Sequence, residues 1–182
     1  MAKILIAVIG CEKYTDRAQA CRDTWADTSL CDVMFFTGPV LGVGDTYEDL
    51  PAKTQAACRW ALDHGYDWMF KADDDTYIWV ERLLSSGFEE HHYSGFGGGK
   101  VPPPEEYASG GAGYWLDRSA LEVVANALLT NDTCEDRWVG RVLYDAGMSL
   151  FINRRYAHGR FNEMNLITLH PCTPDVMRKL HA

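Results

Sequence analysis

An apolar run, Tyr66–Lys71, ends on three consecutive aspartates, Asp73, Asp74 and Asp75, and a second apolar run, Tyr77-Ile78-Trp79-Val80, follows at once. Three like charges cannot share a dry interior without a counter-ion. A hydrophobic strand that delivers them to its carboxyl end places hard oxygen ligands where α/β folds bind substrates. A divalent cation shared with a diphosphate is the counter-ion that fits. Standing alone, such a triplet reads equally well as a solvated acidic turn.

The chain has 182 residues, 47% of them hydrophobic and 12% aromatic, which predicts one globular domain with a substantial core. Its net charge of −9 argues against a nucleic-acid partner, because no basic stripe is present to displace counterions. A small anion bridged by metal stays compatible with that charge. No apolar stretch reaches the roughly 18 residues of a transmembrane span. Met1–Gly10 is too short for a secretory leader and reads as a first buried strand. The expectation is a cytoplasmic chain, or the soluble catalytic part of a longer protein. Cys11, Cys21, Cys31, Cys58, Cys134 and Cys172 form no CxxC pair, so they read mostly as small buried hydrophobes rather than zinc ligands.

Hydrophobic spacing predicts alternating strands and helices. Lys3–Ile9 and Val33–Thr37 read as strands buried on both faces, and Tyr66–Lys71 as a third. Asp16–Trp25 reads as a helix capped by Thr15 or Asp16. Pro51 opens another, with Lys53, Ala56, Ala57, Trp60 and Ala61 at helical spacing before Gly65. A short helix follows around Trp79–Leu84. Gly95–Gly99 and Pro102-Pro103-Pro104 form an irregular region, read as a mobile loop beside the site that supplies acceptor contacts.

Tyr114-Trp115-Leu116 reads as a strand, and Asp117 as the cap of a helix burying Ala120, Val123, Val124, Ala127 and Leu128. Asp136–Ala146 gives a further helix stopped by Gly147, Ser149–Asn153 a strand, and Leu166–His170 an apolar tail. The alternation implies an α/β sandwich with a mixed sheet.

Four elements carry possible chemistry. The Asp triplet offers metal ligands, and His170 adds an imidazole that Mn²⁺ accepts beside oxygen donors. Ser109-Gly110-Gly111-Ala112-Gly113 strips a stretch of side chains, letting a bulky ligand approach the backbone; alone it reads as a flexible turn. Glu135-Asp136 opens a helix, where carboxylates most often serve as simple terminal charges but can also act as a general base. Trp115, Tyr107 and Trp138 are candidates for sugar stacking that read first as core packing.

Trp68-Met69-Phe70-Lys71-Ala72-Asp73-Asp74-Asp75-Thr76-Tyr77 resembles the metal-binding segment of the inverting β1,3-glycosyltransferases, the group of the core-1 galactosyltransferases and Fringe. Tyr107–Leu116 resembles that family's glycine-rich block, and Cys134-Glu135-Asp136 with Gly140-Arg141 its acidic block. Arg22-Asp23-Thr24-Trp25, then Asp45-Thr46-Tyr47 with Leu50 and Lys53-Thr54, and Leu169-His170-Pro171 match further signatures in the same order. The resemblance implies a GT-A fold, a UDP-sugar donor, Mn²⁺ and a glycan or glycoconjugate acceptor. By matched position, Asp75 and His170 hold the metal, Asp73 faces the ribose and Asp74 lies near metal and donor sugar. Gly110 and Gly111 line the sugar, Asp136 is the base, and Arg22, Asp45 and Lys53 belong to the donor side. Arg137 departs from the pattern by standing where the acidic block has an apolar residue.

The leading expectation is an inverting, metal-dependent hexosyltransferase, with galactose ahead of an N-acetylhexosamine and a β1,3 linkage. A non-catalytic GT-A-like module that binds a sugar nucleotide or glycan is the alternative. A structural or Ca²⁺-binding domain explains the triplet but neither the glycine block nor His170, and EF-hand spacing is absent.

Overall fold

The computed structural model describes residues 2–98, 106–158 and 165–182. In chain order the first elements are β1 (Ile4–Ile9), α1 (Thr15–Arg22), β2 (Asp32–Phe36), α2 (Gly38–Leu41) and α3 (Leu50–Asp63). They are followed by β3 (Trp68–Asp73), β4 (Tyr77–Ile78), α4 (Val80–Leu84), β5 (Tyr93–Gly95) and β6 (Tyr114–Asp117). The chain then forms α5 (Arg118–Asn126), α6 (Glu135–Asp145), β7 (Phe151–Ile152), β8 (Tyr156–His158), β9 (Thr168–His170) and α7 (Pro174–His181). Of the predicted irregular region, residues 99–105, including Pro102-Pro103-Pro104, lie outside the described residues, while Gly95 ends β5 and Gly97 bridges to Ala108.

The main sheet runs β2-β1-β3-β6-β5-β7. β2, β1 and β3 are parallel, β6 returns antiparallel beside β3, and the sheet is therefore mixed, as expected. β1 shows why its apolar run is unbroken. Leu5, Ala7 and Ile9 face a core shared with α3, α5 and α6, while Ile6 and Val8 face a second core with α1 and α7. A strand covered on both faces has no solvent side on which to alternate.

Register then aims the chain ends at one place. Ile9 pairs with Asp73, and Asp74 N–H donates to Ile9 O at 3.2 Å, so β1 and β3 finish together. Lys71 pairs with Tyr114 across the antiparallel step. The glycine-rich segment leading into β6 therefore lies beside the outgoing end of β3. A small second sheet, β4-β9-β8, pairs Tyr77 with Leu169 and brings the end of β9 to the Asp turn, where Cys172 N–H donates to Asp75 O at 2.7 Å.

Several boundaries differ from the sequence reading. β2 is an edge strand with Met34 exposed, because neighbours cover only one flank of it. α1 stops at Arg22, short of Trp25, and its first residue Thr15 follows a cap position, Tyr14, without a side-chain cap bond. Trp25 instead turns inward, its indole donating to Thr76 O at 3.1 Å. β3 runs two residues further than Lys71, so Asp73 belongs to the strand.

Asp117 does cap α5, accepting from Ala120 N–H at 2.7 Å, but the helix ends at Asn126 and leaves Leu128 87% exposed. Trp115 and Trp138 are core residues. All six cysteines are free, with Cys21, Cys58 and Cys172 buried and the other three partly so. Among the described residues no helix is long and apolar enough to cross a membrane.

Candidate active site

A cleft of about 670 Å³ opens where β1 and β3 end. Of the ten residues predicted for the site, all but Arg22 line it. Arg22, the last residue of α1, stacks its guanidinium on Phe35 at 3.9 Å instead. The arginine that does reach the cleft is Arg17, one and a half turns earlier on the same helix.

The three aspartates have three different surroundings. Asp75 receives Arg17 Nη1 at 3.0 Å on one oxygen and faces His170 Nε2 at 3.0 Å with the other. Burial alone would raise its carboxyl, but His170 and Arg17 outweigh that and hold it below the usual carboxylate range. Asp74 is the buried member, packed so closely under Gly10 that a Cβ there would stand 2.7 Å from its Oδ2. Burial, then the charges of Asp75 and Asp73, push it up to about 7 against the pull of Arg17. Asp73 Oδ1 accepts from Lys71 Nζ at 2.6 Å.

Asp73, Asp75 and His170 form a set suited to a cation, one ligand atom from each lying within 4.8 Å of the others. Neighbouring ligands of an octahedral ion bound at about 2.1 Å stand about 3 Å apart. His170 Nε2 and Asp75 Oδ1 already have that spacing, at 3.0 Å. Two hard oxygens and one imidazole fit Mn²⁺.

Asp136 stands in the first turn of α6, held by three donors. Its Oδ2 accepts from Gly110 N–H at 3.1 Å, and its Oδ1 from Arg137 N–H and Cys134 Sγ, both at 2.8 Å. The Arg137 side chain is directed to Asp132, at 2.5 and 2.7 Å, so the departure from the family pattern is spent on a surface ion pair. The neighbouring Glu135 is buried and accepts from Tyr114 Oη and from Lys71 Nζ. Burial raises its carboxyl even though Lys71 pulls the other way.

Lys71 ties these parts together. Only 1% of it is exposed, and its Nζ reaches Asp73, Glu135 at 3.2 Å and Gly110 O at 3.3 Å. Burial disfavours its charge, but the two carboxylates more than compensate, so it stays an ammonium. Lys53 does similar work nearby, donating to Asp45 Oδ1 at 2.9 Å and Gly10 O at 3.0 Å. Asp45 also accepts from Gly38 N–H and Glu12 N–H, each at 2.8 Å, and so fastens the loops after β1 and β2 to α3.

The two glycines answer to packing. A Cβ on Gly111 would fall 2.2–2.6 Å from the His170 ring, and one on Gly110 would fall 2.7 Å from Glu135 Oε2. Thr76 Oγ1 and Thr168 Oγ1 pin the segment by donating to Gly111 O at 2.8 Å and Ala112 O at 2.7 Å.

Arg17, Lys71, Glu135 and His158 also belong to the cleft and were not among the predicted site residues. Lys71 carried a readable signal. Strand residues two apart share a face, which sets Lys71 beside Asp73 and makes a lysine in an apolar run conspicuous. Nothing comparable marks His158, whose strand is three residues long.

No protein-family model matches the chain. Among curated proteins it aligns with the glycoprotein-N-acetylgalactosamine 3-β-galactosyltransferase 1 of Xenopus laevis, 34% identical over 117 aligned positions. That alignment takes in 55% of this chain but only 31% of that protein's length. Among solved structures, a glycosyltransferase involved in glycosylation of the major capsid of PBCV-1 superposes with a TM-score of 0.64 over 97% of this chain and 99% of that one, at 12% identity. The catalytic domain of Drosophila β1,4-galactosyltransferase 7, in complex with xylobiose, gives a TM-score of 0.53 over 90% of this chain and 74% of that one, at 15% identity. These likenesses establish the architecture: the chain has the GT-A fold, α/β with a mixed central sheet flanked by helices.

Proposed function

We propose that this chain is an inverting, metal-dependent glycosyltransferase that moves a hexose from a UDP-sugar to a hydroxyl of a glycan or glycoconjugate acceptor. One observation carries the reading. A single cleft holds a two-carboxylate, one-imidazole set on β3, its following turn and β9, and a separate carboxylate, Asp136, on the first turn of α6. Inversion by direct displacement needs those two functions apart, one at the leaving group and one at the incoming hydroxyl.

Asp73, Asp75 and His170 would hold the cation. Bound there, it supplies the positive charge that a departing diphosphate requires. Asp73 thus joins the ligands in this reading, in place of the ribose contact implied by its matched position. Asp74, sealed beneath Gly10, supports the turn and sets its charge. Asp136 takes the proton of the acceptor hydroxyl, with its carboxylate oriented by the N–H groups of Gly110 and Arg137. Gly110 and Gly111 line the donor sugar by their matched positions, their missing side chains making room for Glu135 and the His170 ring. Asp45 and Lys53, already bonded to each other, build the donor-side wall. Galactose is the favoured sugar and β1,3 the favoured linkage, supported by the name of the Xenopus relative.

The test is release of UDP from a panel of UDP-sugars by purified protein, with Mn²⁺ and with chelator, first without acceptor and then with glycan acceptors. Metal-dependent turnover of one donor is expected. Tight UDP binding without turnover of any donor under either condition would leave a sugar-nucleotide-binding module and end the transferase reading.

A further inference from the structure

The register of the small sheet sets two histidines side by side. β8 and β9 run parallel with His158 opposite His170. Their ring centroids are 4.9 Å apart and their Nδ1 atoms 3.3 Å apart. The other nitrogen of His170, Nε2, is the one that faces Asp75.

A neutral imidazole carries one N–H and one lone pair. To ligate through Nε2, His170 must keep its lone pair there and its proton on Nδ1. That N–H then needs an acceptor, and ligand histidines almost always have one. At His170 Nδ1 the partner is His158 Nδ1. His158 must in turn present a lone pair at Nδ1 and carry its own proton on Nε2. Ser109 Oγ–H donates to the same lone pair from 2.9 Å, so His158 Nδ1 is a shared acceptor for both groups, and Ser109 Oγ accepts in turn from Ala112 N–H at 3.5 Å.

We propose that His158 is a positioning residue for the metal site: it accepts the Nδ1–H of His170 and so fixes the tautomer that ligates through Nε2. The inference rests on the reading of Asp73, Asp75 and His170 as metal ligands. It adds a residue that stands outside the ligand set and assigns it a task that ring packing alone does not perform.

The test is a Mn²⁺ titration of the full chain, followed by the electron paramagnetic resonance signal of the free ion, for wild type, His158→Phe and His158→Asn. Phenylalanine keeps a ring and removes the acceptor. Asparagine removes the ring and can place an amide oxygen near the Nδ1 position. His158→Phe should weaken Mn²⁺ binding by about 10–100-fold. His158→Asn should stay near wild type. Melting of both variants in chelator should match wild type, showing that the fold is intact.

Wild-type affinity in His158→Phe would overturn the inference, as would equal losses in both variants. An independent readout needs no variant: with Zn²⁺ as a diamagnetic probe, long-range ¹H–¹⁵N spectra should show His158 protonated at Nε2, and protonation at Nδ1 would overturn it. A wild-type protein that binds no Mn²⁺ at all is a different result, which removes the metal reading and this inference together.

Discussion

The half of the cleft around Asp75, proposed to hold a metal, and the half around Asp136, proposed to hold the base, neutralise their carboxylates in opposite ways. Around the proposed metal ligands, the charge of Asp75 is matched by Arg17, with 34% of its side chain exposed. Arg17 sits at the solvent-facing side of its pair with Asp75 and is free to give way to another cation. Beside the proposed base, Glu135 is matched by Lys71, a charge sealed at 1% exposure that reaches Asp73 as well. An exposed pair contributes little and exchanges easily, whereas a buried one is costly to break. The difference suits the two tasks. In the proposed function, one half would trade its counter-ion for a metal and a diphosphate, and the other would hold Asp136 still through every cycle.

The comparison can be broken at several points. The largest expected effect is in Asp75→Ala, which should abolish metal-dependent UDP binding in a calorimetric titration. Lys71→Met comes next. It strands Glu135 and Asp73 without their shared cation and should cost about 3–5 kcal/mol in urea unfolding in chelator. Arg17→Ala should cost at most about 1 kcal/mol in chelator, and Mn²⁺ should erase that difference. Equal costs for the two variants would mean that the halves are not built differently.

Asp136→Asn should leave UDP binding unchanged while cutting turnover by about 10²-fold or more. Unchanged turnover would remove Asp136 from its role. A further expectation concerns pH. The Asp74 carboxyl is raised from 3.8 to about 7 in the folded chain, so the folded state binds the extra proton. That stabilisation is complete below the unfolded value and is lost as pH rises through the folded one. Thermal melting in chelator should therefore show Asp74→Asn gaining on wild type as pH rises from about 4 and levelling off above about 7. A gap that shrinks over that range would contradict the assignment.

Much of the frame was legible because single-strand and single-helix patterns are local. β1 and β3 announced themselves as apolar runs, and α3, α5 and α6 by helical spacing and by Pro51 and Asp117 at their starts. Edge or centre was not legible, since β2 has the composition of a buried strand and becomes half exposed only through its place in the sheet. α7 escaped notice although Thr173, accepting from Val176 N–H at 3.3 Å, and Pro174 form a readable helix start.

In the site, the resemblance gathered most of the cleft-lining residues but misplaced the arginine by five positions, a shift that helix geometry turns into a different face. Lys71 and Glu135 lay inside quoted motifs without a task. Their pairing joins positions 64 apart and depends on β3 meeting α6 beneath Tyr114. His158 depends on the register of two three-residue strands, which no spacing rule encodes.

The most direct test of the central claim is a calorimetric titration of UDP into the full chain, once with Mn²⁺ and once with chelator. The account predicts binding with Mn²⁺, its loss in chelator and its loss in Asp75→Ala. Binding of equal strength in chelator, or no binding under either condition, would contradict a metal-bridged diphosphate at the end of β3.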